Sequence, residues 1–164
     1  MKIFIFFFTL SLAIFFQVSL MQKIDFYGVA PNLPLVIVFF LIFFSDNYKK
    51  TMFSAMFLGL LFDIFSGVIF GVFTLTFIVT AFLAFVLSDT IVSRDNILIL
   101  FFISICGTLF YALFSVLLIY IFSFFNTDNL KIFLNFIFFR NIIFEAILNS
   151  LLIFVLSPLK RFVK

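Results

Sequence analysis

The chain has 164 residues, 66% of them hydrophobic and only 10% charged, with a formal net charge of +3. Soluble domains are nearer half apolar and a quarter charged, and a chain this short has too little interior to hide the excess from water. A water-soluble fold is therefore excluded, and the composition indicates an all-α, polytopic membrane protein. The positive charge gathers at a few points between apolar runs, which is the signature of membrane orientation rather than of a nucleic-acid interface. Thirty-four Phe accompany no Trp and no His, so interfacial anchoring falls to Tyr, Lys and Arg. Without His, and with Cys106 as the single cysteine, neither a zinc-ligand cluster nor an internal disulfide is expected. No Ser/His pair or phosphate-binding loop is present either, so no catalytic residue, cofactor or metal is expected.

The apolar runs predict six transmembrane helices, at about residues 3–21, 30–44, 51–65, 68–87, 97–125 and 141–157, in one integral membrane domain over 1–164. The first run follows Lys2. It exceeds a secretory h-region and lacks a small-residue cleavage site, so it reads as a retained helix, with Gln17 and Ser19 near the far interface. The second opens on Gly28-Val-Ala-Pro31-Asn32-Leu33-Pro34, prolines being tolerated in a first turn. Fifteen residues reach only about 22 Å, short for a hydrocarbon core of about 30 Å. That helix must take in the proline turn, thin the bilayer, or sit partly inside the protein.

Ser45 to Lys50 is a polar loop, and the third helix follows it. Ser66-Gly67 is the best turn in an apolar run too long for one helix, and the fourth helix starts after it. Ser88 to Asn96 is the next break. The fifth run exceeds the length needed to span and must tilt or protrude. Residues 130–139 are too short to span and are either an interfacial helix or the start of the sixth. An even number of crossings puts both termini on one side. That side holds Lys2, Lys49, Lys50, Arg94, Lys160, Arg161 and Lys164, against Lys23, Lys131 and Arg140 opposite, so both termini are expected in the cytoplasm.

Two polar sets stand out. Asp63 lies in Gly59-Leu-Leu-Phe-Asp63-Ile-Phe-Ser66-Gly67-Val-Ile-Phe-Gly71, about 20 Å along the third helix, where an acid in an apolar run usually faces protein or water. It is either simply interfacial, stabilising the start of the fourth helix, or a structural or partner-binding carboxylate held at a close helix contact. Gly59 shares its face, and Gly67 and Gly71 let backbones approach. In the sixth helix, Asn141, Glu145 and Asn149 form one stripe at i, i+4 and i+8. That stripe must pack inward or bind another protein. The hydroxyls Ser104, Thr108, Tyr111 and Ser115 share one side of the fifth helix but can bond their own carbonyls.

With these residues in view, the chain resembles the rod shape-determining protein MreD family. Gly28-Val-Ala-Pro31-Asn32-Leu33 is similar to that family's G-x-x-P-D-L opening of helix two, with Asn32 in place of the usual Asp. The Gly59, Asp63, Ser66, Gly67 and Gly71 series is similar to its G-L-x-x-D-x-x-S-G…G. The resemblance implies a non-catalytic inner-membrane subunit of the bacterial cell-elongation machinery. Its implied partners are a single-span MreC-like protein and, directly or indirectly, the MreB filament and RodA with its penicillin-binding transpeptidase. It further implies a fold similar to the six-helix S component of ECF transporters. The alternative is therefore a substrate-binding S component of an ECF-type vitamin transporter. A scaffold reading makes the Gly-faced helices a groove for a partner's helix, with Asp63 or the sixth-helix stripe fixing its register and Pro31 and Asn32 as further partner or packing residues.

Overall fold

A computed structural model describes residues 2–21, 28–45, 47–67, 69–91, 97–125 and 136–158. Those residues form six α-helices and no strand: α1 (Lys2–Phe16), α2 (Leu33–Phe44), α3 (Tyr48–Ser66), α4 (Val72–Ile91), α5 (Ile97–Phe125) and α6 (Phe136–Leu156). A π-helical turn, Gln17–Met21, extends α1.

Three helices contain stretches long and apolar enough to cross a membrane, Val72–Thr90, Leu98–Ser123 and Phe136–Leu156. Shorter apolar stretches occur at Phe6–Ser19 and Leu33–Phe44. α3 has a membrane-scale length of 19 residues but carries Lys49 and Lys50 at one end and Asp63 at the other. Large apolar side chains stand exposed along the outer faces, among them Phe8 and Phe15 on α1, Phe102 and Leu117 on α5, and Phe154 and Val155 on α6. So continuous an apolar surface suits hydrocarbon rather than water, and the protein is a membrane protein.

Several boundaries differ from the sequence-based expectation. α6 begins at Phe136, so residues 136–139 are its leading turn rather than a separate interfacial segment; residues 130–135 lie outside the described set. α4 begins at Val72 because Gly67 and Gly71 break the chain between α3 and α4. Gly67 ends α3 in the left-handed region (φ 65°), and Gly71 sits at φ 96°, conformations that cost glycine nothing and other residues much more. Lys23, Arg94, Lys131, Lys160, Arg161 and Lys164, used in the charge count, lie outside the described residues.

The packing has a simple plan. α1, α3, α4, α5 and α6 follow one another around α2, each packed on its neighbour in that order, and all five touch α2. Among the described residues the ring stays open between α6 and α1. α2 supplies much of the core, with Leu35, Val36, Val38, Phe39, Ile42 and Phe43 at most 2% exposed. Its small apolar size is then explained: it is the bundle's centre, surrounded by protein instead of lipid. Lipid tails solvate apolar side chains as well as protein does, so these helices are held by close packing and internal polar bonds.

Two glycines mark where packing is tightest. A Cβ on Gly59 of α3 would stand 2.6 Å from the Cα of Thr74 in α4, so these helices touch backbone to backbone. A Cβ on Gly107 of α5 would stand 2.5 Å from the ring of Phe39 in α2. That ring stacks on Phe43 at 6.2 Å and lies against the bare face that Gly107 leaves.

Candidate functional site

Two sets of buried polar residues lie at helix starts. A helix N-terminus leaves its first amide groups without intrahelical partners, and inside a membrane no water is at hand to satisfy them.

The first cluster caps α4. The carboxylate of Asp63, on α3, is 3% exposed. Its Oδ1 accepts the amide of Phe73 at 2.9 Å, and its Oδ2 accepts the amide of Thr74 at 3.0 Å together with the Thr74 hydroxyl. Three donors on one carboxylate, at the positive end of a helix dipole, are a strong arrangement for a buried charge. The geometry depends on Gly59 one turn earlier, because only a bare backbone lets α4 approach near enough for Asp63 to reach its first turn. The residues Gly59, Asp63, Gly67 and Gly71 thus act as one unit. Gly59 brings α3 and α4 together, Gly67 and Gly71 turn the chain, and Asp63 closes the end. The Gly59 face itself is covered by α4 of the same chain.

The second cluster caps α2. Asn32 is the N-cap, with its Oδ1 accepting the amide of Leu35 at 3.2 Å, and Pro34 falls in the first turn. Two other helices supply the remaining acceptors. Asn149 of α6 accepts the Asn32 amide through Oδ1 at 2.8 Å. Gln17 accepts the Leu33 amide through Oε1 at 2.9 Å. The Asn149 amide in turn donates to the Thr108 hydroxyl on α5 at 3.4 Å, and that hydroxyl donates to the Ser104 carbonyl at 2.9 Å. Asn149 is fully buried. It joins α2, α5 and α6 through one amide group.

This cluster is deep. At 1.5 Å per residue, Asn149 lies about 20 Å along α6 from Phe136, and Thr108 about 17 Å along α5 from Ile97. α2 therefore begins about two-thirds of the way along α6 and near the middle of α5. Non-helical backbone at such depth is tolerated only inside protein or beside a polar cavity; in the run leading into α2, Val29 and Asn32 are buried, Ala30 and Pro31 half-buried and Gly28 exposed.

Two further groups face the same helix start. Glu145, one turn before Asn149 on α6, is half-buried, and its carboxyl interacts with the side chains of Asn32 and Asn149. Tyr111 of α5 is 5% exposed. Its hydroxyl has no hydrogen-bond partner of good geometry, although Asn32 and Glu145 are its neighbours. Among the described residues no basic side chain pairs with Glu145. Arg140 instead turns onto Asn141, donating to its Oδ1 from Nε at 3.3 Å and from Nη2 at 3.1 Å.

The structure thus unites Asn32 with Glu145 and Asn149, residues far apart in the chain, and keeps Asp63 and its glycines in a separate cluster. Pro31 precedes the cap and is half-buried. Sequence reasoning placed Gln17 near an interface, whereas its side chain belongs to the α2 cap. It also passed over Gly107 and Thr74. A lone Gly in an apolar run and a Thr among several carry no distinguishing pattern until the opposing helix is known. Among the described residues no group of His, Cys, Asp or Glu is arranged to hold a metal.

A family model for the rod shape-determining protein MreD matches residues 1–163, essentially the whole chain. Neither the curated proteins nor the solved structures include a match.

Proposed function

Because the chain belongs to the MreD family of rod shape-determining proteins, we propose that it is a non-catalytic scaffold of the cell-elongation complex in the bacterial inner membrane. In this reading it binds a single-span MreC-like protein. Through that protein it supports lateral peptidoglycan synthesis by RodA and its penicillin-binding transpeptidase, in register with the MreB filament. The carrying observation is how the buried polar groups are used. Asp63, Asn32, Asn149 and Gln17 each satisfy helix ends, which is the work of a rigid platform. Six crossings with both termini in the cytoplasm fit the seven-to-three distribution of basic residues.

Depletion of the protein in a rod-shaped host tests the role. Cells are expected to round up while peptidoglycan polymerisation persists at the division site, and retention of rod shape would refute it. Pull-down of tagged protein from solubilised membranes tests the partner, with the MreC-like protein expected in the eluate.

A second reading is a ligand-binding membrane subunit similar to an ECF-transporter S component. The Tyr111 hydroxyl, unpartnered beside Glu145, is the observation that favours it. Native mass spectrometry showing a stoichiometric small molecule on the purified protein would establish that reading in place of the scaffold.

A further inference from the structure

Among the described residues, the ring of helices around α2 is open on one side. α1 and α6 both pack on α2 but scarcely meet each other. The part of α2 left uncovered faces that opening. Among its twelve residues only Leu33, Ile37 and Phe40 are not fully buried, and they fall at i, i+4 and i+7, a single stripe. Among the described residues the result is a groove with an apolar floor on α2 and walls on α1 and α6.

One wall carries an ionisable group with no cation beside it among the described residues. Glu145 is half-buried on the flank of α6 that turns toward α2. An ionisable group within an apolar span is costly unless something neutralises it or bonds to it. Its neighbours Asn32, Asn149 and Tyr111 are neutral, and the nearest cation on its own helix, Arg140, is turned onto Asn141. The dipole of α2 offers partial compensation. A lipid tail lying in the groove would cover the floor but leave the Glu145 carboxyl with only the neutral Asn32 and Asn149 side chains as partners.

We propose that this groove is the docking site for one transmembrane helix of a partner, which lays an apolar face on Leu33, Ile37 and Phe40 and brings a Lys or Arg side chain to Glu145. The inference rests on the partner reading above and assigns its location. The complementary charges make the contact selective. A basic residue inside a membrane span is as unfavourable alone as Glu145 is, and the two neutralise each other only when the helices meet in one register. The α3–α4 contact at Gly59 is excluded as the groove, since α4 already fills it.

The test uses the full-length protein co-expressed with the single-span partner of the proposed complex. Glu145→Gln removes the charge with almost no change of shape, and Ile37→Trp fills the groove. Each is expected to lower partner recovery about tenfold, the size of one charge-assisted hydrogen bond, while thermal unfolding of the purified variants stays at the wild-type value. A photo-reactive amino acid at position 37 is expected to cross-link the partner's membrane span. Wild-type recovery in both variants overturns the groove while leaving the partner reading intact. Cross-links to a second copy or to lipid alone also overturn it. A wild-type protein that recovers no partner overturns the partner reading itself.

Discussion

Asp63 and Asn149 are single side chains that each hold the start of another helix, and their removal should be costly for a specific reason. Asp63→Ala strands the amides of Phe73 and Thr74 where water cannot replace the lost acceptor. Each orphaned amide costs about 1–3 kcal/mol, so thermal unfolding in detergent should show a loss of that order or more. Asp63→Asn keeps one acceptor oxygen and should fall between. Asn149→Leu leaves the Asn32 amide unpaired and should cost about 1–3 kcal/mol by the same argument. Thr108→Val is the contrasting case. The Thr108 hydroxyl meets Asn149 only at 3.4 Å and otherwise bonds its own helix, so its loss strands no backbone amide and unfolding should shift by about 1 kcal/mol, less than for Asn149→Leu. The neutral cap at Asn32 has a reason as well. Asn caps a helix as well as Asp does, and Glu145 already stands beside this position. A second carboxylate there meets like-charge repulsion. Asn32→Asp should therefore be tolerated better in a Glu145→Gln background than alone, a coupling that a double-mutant cycle on unfolding measures directly.

Among the elements, α2 is the one whose form the sequence left undetermined, and the reason is instructive. Its apolar run was plainly short, but a run of Leu, Val, Ile and Phe looks the same to a reader whether lipid or protein surrounds it. What distinguishes the central helix is its neighbours: the Gly107 face that receives Phe39, and the caps from Gln17 and Asn149. By contrast the turn between α3 and α4 was legible, because Ser66-Gly67 and Gly71 are chemical punctuation and Asp63 is conspicuous among apolar residues. The Asp63–α4 bond was one of two readings the sequence allowed; the choice between them needed the opposing backbone of Thr74. The α2–α5 contact yields its own prediction. Gly107→Ala drives a methyl into the Phe39 ring, which is fully buried and has little room to retreat, so a loss of about 1–3 kcal/mol is expected. Adding Phe39→Leu should recover part of that loss. If the two losses simply add, the ring and the glycine are not in contact.

At the scale of the molecule, class and number of helices came through from composition and punctuation, while the arrangement of five helices around a sixth did not. Hydropathy is a one-dimensional signal, and every helix here is apolar on most faces, so amphipathic phase cannot say which side meets protein. The stripe Asn141, Glu145 and Asn149 was the exception, being polar enough to show one face of α6. Orientation is a separate matter, because it is set by charges at the ends of helices rather than by packing within them. Lys49 and Lys50 at the start of α3 lie at the α2–α3 end of the bundle, where Lys50 stands 4.5 Å from the Phe6 ring centre of α1, and Asp63 lies at the other end of α3. With Lys2 at the beginning of α1 and the tail beyond α6, the basic residues favour one side. A reporter that is active only in the cytoplasm, fused after Lys164, should therefore be active, and the same reporter placed between α3 and α4 should be silent. Substituting Lys49 and Lys50 with Gln weakens but does not abolish the charge difference, since Arg94 and the tail remain, so the fused reporter should keep most of its activity. An active reporter between α3 and α4 would mean that the chain is inserted the other way round, and would place the open groove's Glu145 nearer the inner face.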